Sequence, residues 1–98
     1  MFIKLKGNDT ELTASSLIEQ KLFKQGEAVG WLLSIYLKYD GSASELDSML
    51  TEESLSEITL VGDSEKQTVF SGYDKMTSCI IRHMTEGSTA EIQLTKGV

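Results

Sequence analysis

Cys79 and His83 are the one cysteine and the one histidine of this 98-residue chain. A thiol beside an imidazole can form a nucleophile–base pair when a third group orients the base. Four residues of separation would bring the two together on a helix. Thr77, Ile80 and Ile81 around them favour a strand instead. On a strand they share a face but stand about 13 Å apart, too far for proton transfer. The residues therefore read as a packed cysteine and a rim histidine, and no catalytic residue is assigned. One cysteine also excludes an intrachain disulfide and a cysteine-rich zinc site, so no metal is expected.

Carboxylates are the next candidates. Between Asp40 and Glu65 stand eight acids (Asp40, Glu45, Asp47, Glu52, Glu53, Glu57, Asp63, Glu65) and no Lys or Arg, within a chain of net charge −6. None sits in a catalytic or ligand frame. Asp40-Gly41-Ser42 resembles the start of a calcium loop only superficially, and no such loop is expected. Gly26-Glu27-Ala28-Val29-Gly30 lacks the Lys-Ser/Thr pair of a phosphate loop, and no dinucleotide fingerprint occurs, so no cofactor is expected. A solvated face explains the acids most simply. The sharper reading is an electrostatic docking surface for a basic protein, centred on Glu45, Asp47, Glu52 and Glu53. Arg82 is the only arginine. With no basic cluster, direct nucleic-acid binding is not expected.

Trp31, Tyr36 and Tyr39 share one segment with a single base, Lys38. Core and cross-strand packing accounts for them. Trp31 and Tyr36 are kept as candidate anchors for a protein partner, because large aromatics favour such surfaces.

These side chains have to be positioned by a mostly β chain. Phe2 to Lys6 alternates as a short strand, and Gly7-Asn8-Asp9 suits a turn. Thr10 to Phe23 reads as a strand bent at Ala14-Ser15-Ser16, and Gln25 to Gly30 as a loop. From Trp31 to Tyr39, odd positions are wholly apolar and even ones mixed, as on a strand with one face on the core. The period then changes. Ser44 is expected to cap a short helix carrying Leu46, Met49 and Leu50 on one face. Thr51 to Leu55 fits a further single turn. Strands follow at Ile58–Val61, after which Gly62-Asp63 turns the chain, and at Gln67–Ser71. Met76 to Met84 alternates, Glu86-Gly87-Ser88 turns, and Ala90 to Thr95 closes a hairpin. The fold class is α+β within a single domain of residues 1–98. A twisted, mostly antiparallel sheet of six or seven strands, barrel- or sandwich-like in its curl, carries one short helix near residues 44–50.

The longest apolar-rich stretch, Val29 to Tyr39, is interrupted by Gly30, Ser34 and Lys38, so no transmembrane helix is expected. The alternating start Met1-Phe2-Ile3-Lys4 lacks the apolar centre of a signal peptide.

The second half of the chain carries a resemblance. It runs through Glu45 to Leu55, Glu57-Ile58-Thr59-Leu60-Val61, then Val69-Phe70-Ser71-Gly72-Tyr73-Asp74-Lys75-Met76, and finally Ala90 to Lys96. This order resembles small uncharacterised proteins encoded near the tail and lysis genes of phages and prophages of Gram-positive bacteria. The matched motifs are structural, with Phe70 to Tyr73 fitting a strand that ends on a glycine turn beside a packed tyrosine. The resemblance implies a phage setting and a tail-associated or assembly role. With no reactive centre and no signal or membrane segment among the residues, a non-enzymatic accessory protein is expected, in the host bacterial cytoplasm or incorporated in the virion. Its role would be minor structural or assembly work, as a homo-oligomer or docked on phage tail proteins. The alternative is an acidic inhibitor that mimics nucleic acid and occupies a basic host protein.

Overall fold

A computed structural model describes residues 1–62 and 67–98. Asp63, and with it half of the turn expected at Gly62-Asp63, lies outside the described residues, as does Glu65. Strands β1 (Phe2–Leu5), β2 (Leu12–Lys24) and β3 (Glu27–Tyr39) come first, then helix α1 (Ala43–Met49) and a 3₁₀ turn at Ser54–Ser56. Strands β4 (Glu57–Val61), β5 (Thr68–Ser71), β6 (Lys75–His83) and β7 (Ser88–Gly97) complete the chain. The seven strands of the described residues join one sheet in the order β5-β4-β1-β2-β3-β7-β6. Every pairing is antiparallel. The expected α+β sheet with one short helix is what forms.

Strands β5 and β6 lie at opposite ends of that order, yet only Gly72, Tyr73 and Asp74 separate them in sequence. Four Cα–Cα steps reach at most about 14 Å. The sheet must therefore curl until its two edges approach, although among the described residues they do not pair and the sheet stays open. Part of the bend comes from the register shift between Ala14 and Ser16 of β2, where the sequence suggested it.

Alternation decides what the curl encloses. Leu33, Ile35 and Leu37 of β3 and Ala90, Ile92 and Leu94 of β7 are all buried on the inner face. They join Ile3, Leu5, Leu12, Ala14 and Ile58 in one cluster. Seven helical residues cannot hold alone in water, so α1 exists through packing. It lies against β6 and β7 and drives Leu46 and Leu50 into the cluster. Leu55 of the 3₁₀ turn is likewise buried, against β1 and β4.

Three local expectations are corrected. First, Ser42 rather than Ser44 caps α1, its Oγ accepting from the Glu45 N–H at 3.1 Å. Ser42-Ala43-Ser44-Glu45 is the better Ser-x-x-Glu frame, and it starts the helix two residues earlier. Second, residues 25–30 are not a loop. Gln25 (φ 52°) and Gly26 (φ 83°) alone turn the chain, and β3 begins at Glu27, paired with Lys24. Two consecutive positive φ values make the hairpin turn whose twist suits flanking strands. Third, β6 does not alternate cleanly from Met76. A register shift between Met76 and Ser78 puts Met76 opposite Leu94, on the same side as Cys79 opposite Ile92. Met76 therefore packs on the cluster with Cys79 and Ile81.

Candidate functional site

Cys79 and His83 lie in register opposite Ile92 and Ser88, four residues apart on β6 as expected of a strand. The thiol is half-buried. Burial, and secondarily the negative charge of Asp47 on α1, pushes its pKa up. A thiol held protonated is a poor nucleophile. Among the described residues, no group of three or more His, Cys, Asp or Glu side chains is placed to hold a metal ion. Also among them, no helix is long and apolar enough to cross a membrane.

The acids collect at the α1 end of the sheet. Glu45 and Asp47 lie on α1, and Glu52 and Glu53 in the bend before the 3₁₀ turn; all four are exposed. Glu45 is partly engaged. Its Oε2 accepts from the Tyr39 hydroxyl at 3.0 Å. That bond, then burial and the charges of Glu45 and Asp40, raises the tyrosine pKa. The 3₁₀ turn is tied by a reciprocal pair, Ser54 N–H to Thr51 Oγ1 and Thr51 N–H to Ser54 Oγ.

The two candidate anchors are not brought together. Trp31 lies on the inner face of β3 toward the hairpin tip, with the Lys21 ammonium 5.3 Å from its ring centroid. Beside it Tyr73, fully buried, donates its hydroxyl to Glu19 Oε2 across the sheet. Lys96 lies opposite Trp31 in the β3–β7 ladder. Its ammonium is 4.6 Å from the Tyr73 ring centroid and donates to the Ser71 carbonyl at 2.8 Å. Desolvation first, then the bond to Glu19 and its charge, lifts the Tyr73 pKa far above the usual phenol value. This network pins the short passage from β5 to β6 over the core.

Tyr36 points the other way, into a trough of about 440 Å³ on the face that α1 leaves uncovered. Register explains its lining. Paired residues in a ladder share a face, so Ser16, Tyr36, Glu91 and Ile80 form one row across β2, β3, β7 and β6. Ser34, Gln93 and Ser78 form the row beside it. Arg82 Nη1 lies 2.9 Å from Glu91 Oε2, both groups about half exposed. Sequence reasoning named Tyr36 but missed the trough. The signal was present in the mixed even face of β3 and in Glu91 and Gln93 alternating against Ala90, Ile92 and Leu94.

No family model, no curated protein and no solved structure matches this chain.

Proposed function

We propose that this chain is a non-enzymatic accessory protein of a phage or prophage, working in virion assembly through protein–protein contacts. The observation that carries the reading is the outer edge of β6. Among the described residues this nine-residue strand pairs on one side only, with β7. Unpaired strand edges recruit further strands unless they are blunted. Here Lys75, Arg82 and the register shift at Met76 blunt the ends, while the middle, Cys79 to Ile81, keeps half-buried or exposed apolar side chains. At the other end of the sheet β5 also pairs on one side alone among the described residues, and exposes Val69. Either edge suits addition of a strand from a second copy or from a larger tail protein.

Light scattering of the purified chain, alone and mixed with tail proteins of its phage, tests the proposal. A defined oligomer or complex that is lost in Ile80→Lys or Val69→Lys supports it. A strict monomer with no affinity for tail proteins removes it.

The second reading, an acidic inhibitor of a basic host protein, is favoured by the exposure of Glu45, Asp47, Glu52 and Glu53 at one end of the molecule. It requires salt-sensitive binding to a nucleic-acid-handling protein. Neutralising all four acids together should abolish that binding, and unchanged affinity would reject the idea.

A further inference from the structure

The trough on the uncovered face shares Ser78 and Ile80 with β6, but it lies on the face of the sheet across β2, β3, β7 and β6 and not along the edge. Its volume, about 440 Å³, falls among small-molecule sites of roughly 300–1,000 Å³. Strands β3 and β7 are interior, each paired on both sides, so their main-chain groups are engaged in ladders. Recognition on this face must therefore come from side chains. Among the described residues, the side chains of Ser34, Tyr36 and Gln93 have no hydrogen-bond partner within the chain; the β6 Thr77 hydroxyl donates to the main-chain carbonyl of Gln93, not to its carboxamide.

We propose that this trough binds a neutral saccharide. Charge is the first reason. Glu91 is the one charged side chain of the lining, and Arg82 neutralises it at 2.9 Å. The lining itself offers a phosphate or carboxylate no unpaired cation; Lys38 is on this face but stands one row away, beside Thr13 and Thr89 and outside the lining. The second reason is the mix of polar groups. Serine hydroxyls and the Gln93 carboxamide both donate and accept, and Glu91 has a second oxygen that accepts only. Sugar hydroxyls also both donate and accept, so a patterned array of such groups matches them. Apolar surface is the third. Tyr36 offers a half-exposed ring beside Glu91, with Ile80 one strand beyond, which suits the C–H face of a pyranose. A fatty chain would leave the polar groups unpaired, and a peptide strand would seek an edge.

The test is titration of the isotope-labelled protein with chitotriose, maltotriose and cellotriose in turn, following backbone amides by NMR. At least one triose should give saturable shifts confined to residues 16, 34–36, 78–80 and 91–93. Tyr36→Ala should weaken that binding about tenfold or more. Gln93→Ala, a change at an exposed position that leaves folding intact, should weaken it severalfold with the rest of the spectrum unchanged. Inorganic phosphate should shift none of these amides. The proposal is overturned if no triose shifts them saturably, if both variants bind as well as the parent, or if phosphate moves the same set.

Discussion

The two ends of the β2–β3 ribbon follow the same rule of alternation and reach opposite outcomes. At the α1 end, Ala14 and Leu37 pair with each other, and β7, α1 and the β1–β4 arm close around them; both are about 1% exposed. At the hairpin end, Phe23 is 64% and Val29 49% exposed. The difference lies in what surrounds the strands. Strand β1 pairs with β2 only at Phe2–Thr13 and Ile3–Leu12, so the ribbon beyond runs past its cover with β7 alone beside it. An apolar residue on a strand marks a face, and burial depends on whether a second layer reaches that face.

The largest expected effect separates the ends directly. Leu33 is fully buried where Tyr73 and the core close over β3. Leu33→Ala should cost about 2–5 kcal/mol, the range for buried leucines whose sites cannot collapse. Phe23→Ala at the tip should change stability by no more than about 0.5 kcal/mol, as exposed positions do. Urea denaturation of the two variants checks this. Equal losses would mean that the tip packs as tightly as the centre.

Two turn glycines repeat the contrast at smaller scale. Gly87 and Gly26 both have positive φ, 87° and 83°. A Cβ on Gly26 would meet open space, whereas one on Gly87 would collide with the main-chain carbonyl of Tyr39. Gly87→Ala should therefore exceed the backbone strain of roughly 1–3 kcal/mol. Gly26→Ala should stay near about 1 kcal/mol. Thermal unfolding that ranks them in the reverse order would contradict this account of the covered end.

Tyr73 marks the boundary between the two regions. Its hydroxyl is the tie between the β5–β6 passage and the ribbon at Glu19. Tyr73→Phe should cost about 1 kcal/mol, the net value of one such bond. A pH signature accompanies it. The folded pKa is raised above the unfolded value of about 10, so the neutral phenol's contribution is complete below about pH 10 and is lost as pH climbs above it. The parent should thus weaken steeply in alkali, while Tyr73→Phe loses most of that dependence. Tyr39→Phe is the control, since its raised pKa comes chiefly from an exposed bond to Glu45. Stability measured across that range decides whether Tyr73 is the titrating tie.

The sequence contained most of this architecture where the signal was repeated. The odd face of β3 named Leu33, Ile35 and Leu37 correctly, and the change of period found α1 through Leu46 and Leu50. What stayed hidden depended on partners distant in the chain. Nothing near Gly72 says that three residues carry the chain from one edge of the sheet to the other. Nothing near Glu19 says that it meets Tyr73. The trough is similar: Ser16, Tyr36, Glu91 and Ile80 become one row only through the register of four strands. Local errors arose where one residue outweighed a frame. Gly30 ends the stretch that reads as a loop, yet it sits in the ladder opposite Gly97.

The smallest expected effect lies at the tip, and it is a gain. Gln25 is the only described non-glycine residue with positive φ, 52°, in a two-residue turn whose first position favours Asn or Gly. A side chain with a Cβ is strained in that conformation, and glutamine lacks the short local hydrogen bond that eases asparagine into it. Gln25→Asn should stabilise the protein by a few tenths of a kcal/mol, up to about 1. The gain should appear most clearly as slower amide exchange in Leu22 to Val29, with little change around Leu37, because the ribbon beyond β1 opens locally before the whole molecule unfolds. If exchange slows equally at both ends, the tip is not an independent opening unit, and the ribbon is held along its whole length by its pairing with β7.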